Sequence, residues 1–226
     1  MELIYHGHSC FEVRFLNDTL LIDPFITSNP LVKNKNISGF KPDYILITHG
    51  HSDHMADAEM IAKNSGAIVI SNFEITTWLG ERGVSSTHGM NIGGSVTFSF
   101  GKVKMVNATH SSSLPDGGYG GNPAGFVISS PEKTFYYAGD TGLSMDMSLI
   151  GEEFELDFSI LPVGDNFTMG IDDALKAASL VKTDNVVAMH FDTFPSIEID
   201  HEQCLKKAQE KKVNLIIPKI GESLKV

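Results

Sequence analysis

"DYILITHGHSDHMADAEM", residues 43–60, carries an apolar strand straight into His49, His51, Asp53 and His54. Packing alone asks for nothing of the kind. Imidazoles and a carboxylate crowded at a strand end are costly unless a cation binds them or water reaches them. "YILIT" (44–48) is strand-like, and "MADAEMIAKNSG" (55–66) reads as a short helix closed by Gly66. Alternate side chains of an extended segment share a side, so His49 and His51 are placed to chelate one ion. Asp53 and His54, at the turn into the helix, are free to point elsewhere and begin a second site.

Upstream, "YHGHSCFEVRF" (5–15) alternates Tyr5, Phe11, Val13 and Phe15 with polar or small residues. That period predicts one half-buried strand with His6 and His8 on the same face. A turn at Asn17-Asp18 returns the chain as "TLLID" in a hairpin. Downstream, "AIVIS" is a strand, and "VTFSF" and "VKMVNAT" form a hairpin turning at Gly101-Lys102. The glycine-rich "PDGGYGGNPAG" (115–125) is a loop. Strands "FVISS" and "TFYYA" follow, then strand "DFSILPV", helix "DDALKAASLVK", strand "NVVAM", helix "IDHEQCLKKAQEKK" and a last strand "VNLIIP". His88 in "THGMNIGG" is expected in a turn, and His201 on the wet side of the last helix. No repeat or long linker interrupts the pattern, so one domain over residues 1–226 is expected. Strands first and helices increasingly interspersed suit two facing sheets with helices outside.

With 226 residues, 42% of them hydrophobic and 14 of them Phe, the chain can build a sizeable core. Its longest apolar runs are strand-sized, which leaves no membrane-spanning helix. The opening "MELIYHGHSCF" has neither a basic segment nor an apolar helix to direct export, so a cytoplasmic location is expected. Cys10 and Cys204 form no zinc-type spacing and are expected as reduced thiols, Cys10 as a small core residue. The formal charge is −11, and the densest basic segment, "LKKAQEKK" (205–212), suits the solvated face of a helix. Extended nucleic acid is therefore excluded as a partner. A small-molecule substrate is expected, and a homo-oligomer is compatible with the sequence.

Three more strands end in a metal-capable residue: His110 after "VKMVNAT", Asp140 after "TFYYAG" and His190 after "NVVAM". Strand termini at one edge of a sheet can converge on one pocket while the scaffold keeps them rigid. Five His and two Asp are enough donors for two divalent cations. A carboxylate has two oxygens with which to span a pair of ions, whereas an imidazole has one free nitrogen.

"THGHSDH" (48–54) behind a hydrophobic strand resembles the signature of the metallo-β-lactamase-like hydrolase superfamily. His110, Asp140 and His190 follow in the order that family has. "GHSCF", "HGMNIGGS", "THSSS", "AGDTG" and "PVGDNFTMG" resemble its small single-domain branch related to L-ascorbate-6-phosphate lactonase. The resemblance implies an α/β fold of the α+β type, a four-layer αββα sandwich. It implies two divalent metal ions, one on His49, His51 and His110, the other on Asp53, His54 and His190, with Asp140 between them. It implies attack by metal-bound hydroxide, formed because a cation lowers the pKa of its water to about 7. Asp53, as the catalytic residue, or a metal-held water would shuttle the proton to the leaving group. The expected reaction is hydrolysis of a small anionic ester or lactone, such as a sugar-phosphate lactone. A phosphodiesterase acting on cyclic or short nucleotides and a metal-dependent binding protein without turnover are the alternatives. His51 stands where the oxygen-reducing di-iron relatives have Glu, which favours hydrolysis over redox chemistry. Ligand type does not discriminate among Zn, Mn, Ni and Fe.

Around this set, His8 of "GHSCF" is expected beside the metals or the substrate. Asp23 of "LLIDPF" either orients a ligating His through a hydrogen bond or opens a turn before Pro24. Tyr119 is a substrate contact on a mobile loop, or part of a plain connection. Asp165, Asn166 and Thr168 of "PVGDNFTMG" either face the pocket or form a turn and helix cap. His6 is expected to be exposed.

Overall fold

The computed structural model describes residues 1–226. Six strands lead the chain into a first sheet: β1 (Glu2–Gly7), β2 (Cys10–Arg14), β3 (Thr19–Ile22), β4 (Tyr44–Leu46), β5 (Ile68–Asn72) and β6 (Thr87–Met90). A second sheet takes β7 (Ser95–Phe98), β8 (Gly101–Asn107), β9 (Ala124–Ser129), β10 (Thr134–Tyr137), β11 (Phe158–Pro162), β12 (Asn185–Met189) and β13 (Asn214–Ile216). The final strand, β14 (Ser223–Leu224), returns to the first sheet and pairs antiparallel with β1. The orders are β14-β1-β2-β3-β4-β5-β6 and β13-β12-β11-β10-β9-β8-β7. In each sheet an antiparallel meander gives way to parallel strands, from β3 onward in one and from β10 onward in the other. Parallel neighbours need crossovers, and the helices supply them.

Helices α1 (Ser52–Met55), α2 (Ala58–Ser65) and α3 (Phe73–Glu81) follow first-sheet strands, and α4 (Met147–Glu153), α5 (Ile171–Leu180) and α6 (His201–Glu210) belong to the second half. A core of 42 buried residues joins the facing sides of the sheets, through Leu3, Phe126 and Phe135, to the undersides of α5 and α6, through Ala177 and Ala208. A second core of 17 residues, including Ile45, Val69, Ile61 and Ile75, lies between the first sheet and its helices. The layers therefore run helix, sheet, sheet, helix, the αββα sandwich expected. Strand β4 is buried throughout, which is why its sequence is a continuous apolar run rather than an alternation.

Several local expectations need correction. Residues 5–15 are not one strand: Gly7 (φ 105°) and His8 (φ 57°) reverse the chain, so β1 and β2 form a hairpin with Gly7 opposite Cys10. His6 and His8 consequently do not share a face. His6 is half-buried, and its Nε2 lies 2.9 Å from Glu12 Oε2. His88 sits in β6, paired with Ile70, and not in a turn. Helices α3 and α4 went unforeseen, although Asn72 caps α3 by accepting the Ile75 N–H at 2.9 Å. The helix expected at 55–66 begins earlier and is broken between α1 and α2, and Gly66 ends it as expected. Cys10 and Cys204 are both free and buried, and no helix is long and apolar enough to cross a membrane.

The second-sheet hairpin turns at Ser99-Phe100 and not at Gly101-Lys102, because Gly101 already pairs with Phe98. Gly101 adopts φ 147°, and a Cβ there would lie 2.3 Å from the Ser129 carbonyl oxygen. Gly101→Ala should therefore force β8 from β9 and cost about 1–3 kcal/mol, as overpacking does. Urea unfolding measures this; an unchanged midpoint would show that the strand edge relaxes freely.

Candidate metal centre

Parallel strands present their carboxyl ends at one edge, where open α/β sheets hold their ligands. Here β4 leads through Thr48 to His49, β10 leads to Asp140 and β12 to His190. His110 follows the antiparallel β8, and the short helix α1 lifts Asp53 and His54 back over the same edge. The structure brings together all seven residues singled out in the sequence. Their donor atoms fall into three mutually close sets: His49, His51 and His110; His49, His54 and Asp140; and His8, Asp53, His54 and His190.

The hydrogen bonds around the set show which nitrogens face inward. Thr48 Oγ1 donates to Asp23 Oδ2 (2.8 Å), so its oxygen accepts from His49 Nδ1 (2.9 Å). His49 then offers Nε2, 3.0 Å from His51 Nδ1. His54 Nδ1 donates to Asp23 Oδ2 at 2.9 Å, leaving Nε2 toward Asp140, where it is buried without a hydrogen-bond partner. Such carboxylate–imidazole pairs set the tautomer and ring orientation of metal ligands. Asp23 is thus the orienting group and not merely a turn opener. Its buried carboxylate also accepts the Thr48 N–H at 2.8 Å.

Asp140 stands at the centre. Its Oδ2 lies 2.9 Å from His190 Nε2, 3.3 Å from His54 Nε2 and 3.6 Å from His110 Nε2. Its Oδ1 is buried and has no partner. Burial works against ionisation here, yet His54 and His190 hold the carboxyl well below the usual carboxylate range. Burial likewise opposes a charged His54, but Asp140 and Asp23 outweigh it and raise its pKa well above the ordinary histidine value. A buried pocket that keeps carboxylates ionised and demands positive charge beside them suits a cation. The orphaned His54 Nε2 and Asp140 Oδ1 are the atoms such an ion would satisfy.

His8 joins the set that holds Asp53. It is fully buried, with Nε2 3.2 Å from Asp53 Oδ2 and Nδ1 2.9 Å from Thr193 Oγ1. Burial pulls its pKa down to about 4, so the ring is neutral near pH 7. For Asp53 burial again opposes ionisation, and the bond from His8 overcomes it, holding the carboxyl well below its ordinary value. His8, Asp23 and His190 all take left-handed φ values (57°, 45° and 55°), uncommon for residues other than glycine. Backbone strain of this kind concentrates where side chains must be aimed for function.

A cavity of about 360 Å³ opens onto the cluster, lined by His51, Asp53, His110, Asp140 and His190 together with Ser111 and Phe167. The last two were not singled out in the sequence. Ser111 Oγ lies 3.4 Å from His51 Nε2. Tyr119 is absent from this lining; it is 67% exposed and its hydroxyl donates to Asn122 Oδ1. Asp165 and Asn166 are exposed turn residues with φ of 60° and 53°, and they push Phe167 forward instead. Thr168 does not cap α5, whose N-cap is Gly170 without a side-chain bond.

A family model described as a beta-lactamase superfamily domain matches residues 18–191. A UPF0173 metal-dependent hydrolase of Methylacidiphilum infernorum (isolate V4) is 50% identical over 224 residues, covering 99% of each chain. Its namesake in Christiangramia forsetii is 51% identical over 227 residues and covers 100% of each. Among solved structures, the metallo hydrolase Igni18 from the archaeon Ignicoccus hospitalis matches with a TM-score of 0.89 at 36% identity, over 99% of this chain and 97% of that one. An isothiocyanate hydrolase from Delia radicum gut bacteria shares the fold, with a TM-score of 0.80 at 18% identity over 100% of this chain and 99% of that one. With the signature cluster assembled where the two sheets meet at their strand ends, the chain belongs to the beta-lactamase superfamily and, within it, to the UPF0173 metal-dependent hydrolases.

Proposed function

We propose that this hydrolase acts on a small anionic ester or lactone, such as a sugar-phosphate lactone, with two divalent cations held in the cluster. His49, His51 and His110 would hold one cation and Asp53, His54 and His190 the other, with Asp140 shared. The observation that carries this is the position of Asp140: one oxygen faces imidazoles of both sets, and the other is buried without a partner. Bound divalent cations supply a Lewis acid and water of lowered pKa.

The protein's own residues account for the rest. Thr48 and Asp23 orient His49 and His54, so their inward nitrogens need no rearrangement when substrate arrives. Asp53 lies in the cavity wall, kept ionised by His8, and is placed to take a proton on its carboxylate and pass it to a leaving group. Two dications outweigh the two carboxylates of the cluster. The field at the cavity is therefore positive within a chain of net charge −11, and it favours a small anion over a large one.

Enzyme loaded separately with Zn²⁺, Mn²⁺, Ni²⁺ and Fe²⁺ should hydrolyse members of a lactone and ester panel with kcat/KM of about 10⁴ M⁻¹s⁻¹ or more, the lower end for enzymes on their own substrates. Matched cyclic and linear phosphodiesters should react at least roughly tenfold more slowly, a difference of about 1.4 kcal/mol in the barrier. The reverse preference would make the protein a phosphodiesterase. Tight binding without product, with every cation, would make it a binding protein.

A further inference from the structure

Phe167 is the single apolar side chain in the lining of the cluster cavity, and it is 58% exposed. Exposure alone does not set it apart, since Phe73 is 64% exposed as well; its place in the cavity lining does. The protein's large apolar side chains are mostly withdrawn into two cores, and an exposed phenyl ring beside a polar cavity adds little to either. Nor is the loop that carries the ring loosely placed. Gly164 and Gly170 bridge the base of its loop, and the Asp165 N–H donates to the Met169 carbonyl at 3.1 Å. The Phe167 N–H is held at 2.5 Å by the Asp165 carbonyl.

Both ends of this loop are tied to the strand ends that present the donors. Met169 is buried in the main core, and its N–H donates at 2.9 Å to the carbonyl of Thr141, the neighbour of Asp140. Gly164 packs against His190 so closely that a Cβ on it would lie 2.1 Å from the His190 carbonyl oxygen. The backbone that carries the ring is thus set in a fixed relation to Asp140 and His190. An aromatic side chain of this kind offers dispersion over a flat face and no charge or hydrogen bond. Such a ring suits a flat apolar face on a ligand. With its backbone preset in this way, only the side-chain rotamers lose freedom on binding.

We propose that Phe167 determines substrate class: its ring packs against a planar ring or unsaturated group that lies beside the bond being hydrolysed. This rests on the ester or lactone reading of the site, and the test has one arm that depends on that reading and one that does not. In the first arm, kcat/KM is measured for an aryl ester and for an alkyl ester of matched charge. Wild type should favour the aryl ester about tenfold, within the range that aromatic contacts contribute. The aryl-to-alkyl ratio should fall to about twofold or less in Phe167→Ala, fall partly in Phe167→Leu and persist in Phe167→Trp. In the second arm, calorimetry compares phenylphosphonate with methylphosphonate on the metal-loaded protein without any turnover. Phenylphosphonate should bind wild type about tenfold more tightly, and Phe167→Ala should erase that lead.

An unchanged aryl preference in Phe167→Ala, equal affinities for the two phosphonates in wild type, or binding of neither overturns the proposal. Wild type that turns over neither ester but keeps the Phe167-dependent phosphonate preference rejects the ester reading and sustains the ring contact. Circular dichroism and metal content of each variant show whether a lost preference reflects a disturbed site.

Discussion

Asp140→Asn is expected to abolish the proposed paired metal site while leaving the fold intact. The substitution keeps the shape of the side chain but removes the charge whose Oδ2 sits within 2.9–3.6 Å of His190, His54 and His110. An amide offers one acceptor oxygen where the carboxylate offers two, so it cannot span both donor sets. By elemental analysis the wild type should carry about two equivalents of metal, as two-metal hydrolases do, and the variant fewer than one. Hydrolysis should fall about a thousandfold or more, since loss of cation stabilisation is worth several kcal/mol and each 1.36 kcal/mol is tenfold in rate. Asp140 is buried among polar groups and makes no apolar contribution to either core, so circular dichroism should stay close to wild type. A variant that keeps its full metal complement would remove the basis for the paired site.

The second large effect is expected at Asp23, which is fully buried and outside the cavity lining. Its carboxylate accepts from Thr48 N (2.8 Å), Thr48 Oγ1 (2.8 Å) and His54 Nδ1 (2.9 Å), all buried. The Tyr137 hydroxyl, donated chiefly to the Ser9 carbonyl, lies 3.1 Å from Asp23 Oδ2. Removing this acceptor leaves several buried donors unpaired at once. Asp23→Ala should therefore destabilise the protein by about 3–5 kcal/mol, the cost of breaking a buried ionic network. It should also weaken metal binding about 10–100-fold, because His54 and, through Thr48, His49 lose the bonds that aim them. Urea unfolding in excess metal and in chelator separates the two effects. Asp23→Asn, which retains one acceptor oxygen, should recover part of the stability and little of the affinity. Wild-type affinity in Asp23→Ala would show that helix α1 and β4 aim the histidines unaided.

The same residues mark how far a single sequence goes. "THGHSDH" announced chemistry because a dense set of donors at a strand end has no packing explanation, and the period of His-x-His follows from extended backbone alone. The apolar runs of β4, β11 and β12 and the Gly66 helix stop were equally legible, since each depends on neighbours a few positions away. For His8 the place beside the cluster was legible and its backbone was not, because an alternating pattern hides the reversal at Gly7 that turns the ring from the β1 face to Asp53. Phe167 was passed over for its polar neighbours, although Asp165 and Asn166 are the residues that tolerate left-handed backbone and so throw the phenyl ring outward.

By itself, then, the sequence determined which residue types supply the chemistry, that the apolar runs become strands, and the polarity of the carboxyl ends where donors collect. The tertiary structure alone decided which nitrogen each histidine turns inward, that Asp140 faces both donor sets, and that a phenyl ring walls the cavity. The physical reason is range. Strand periodicity and turn preference act over a few residues, whereas Asp23 meets His54 and Gly164 meets His190 only across paired strands of one sheet, and Asp140 meets His54 only once the two sheets have packed face to face.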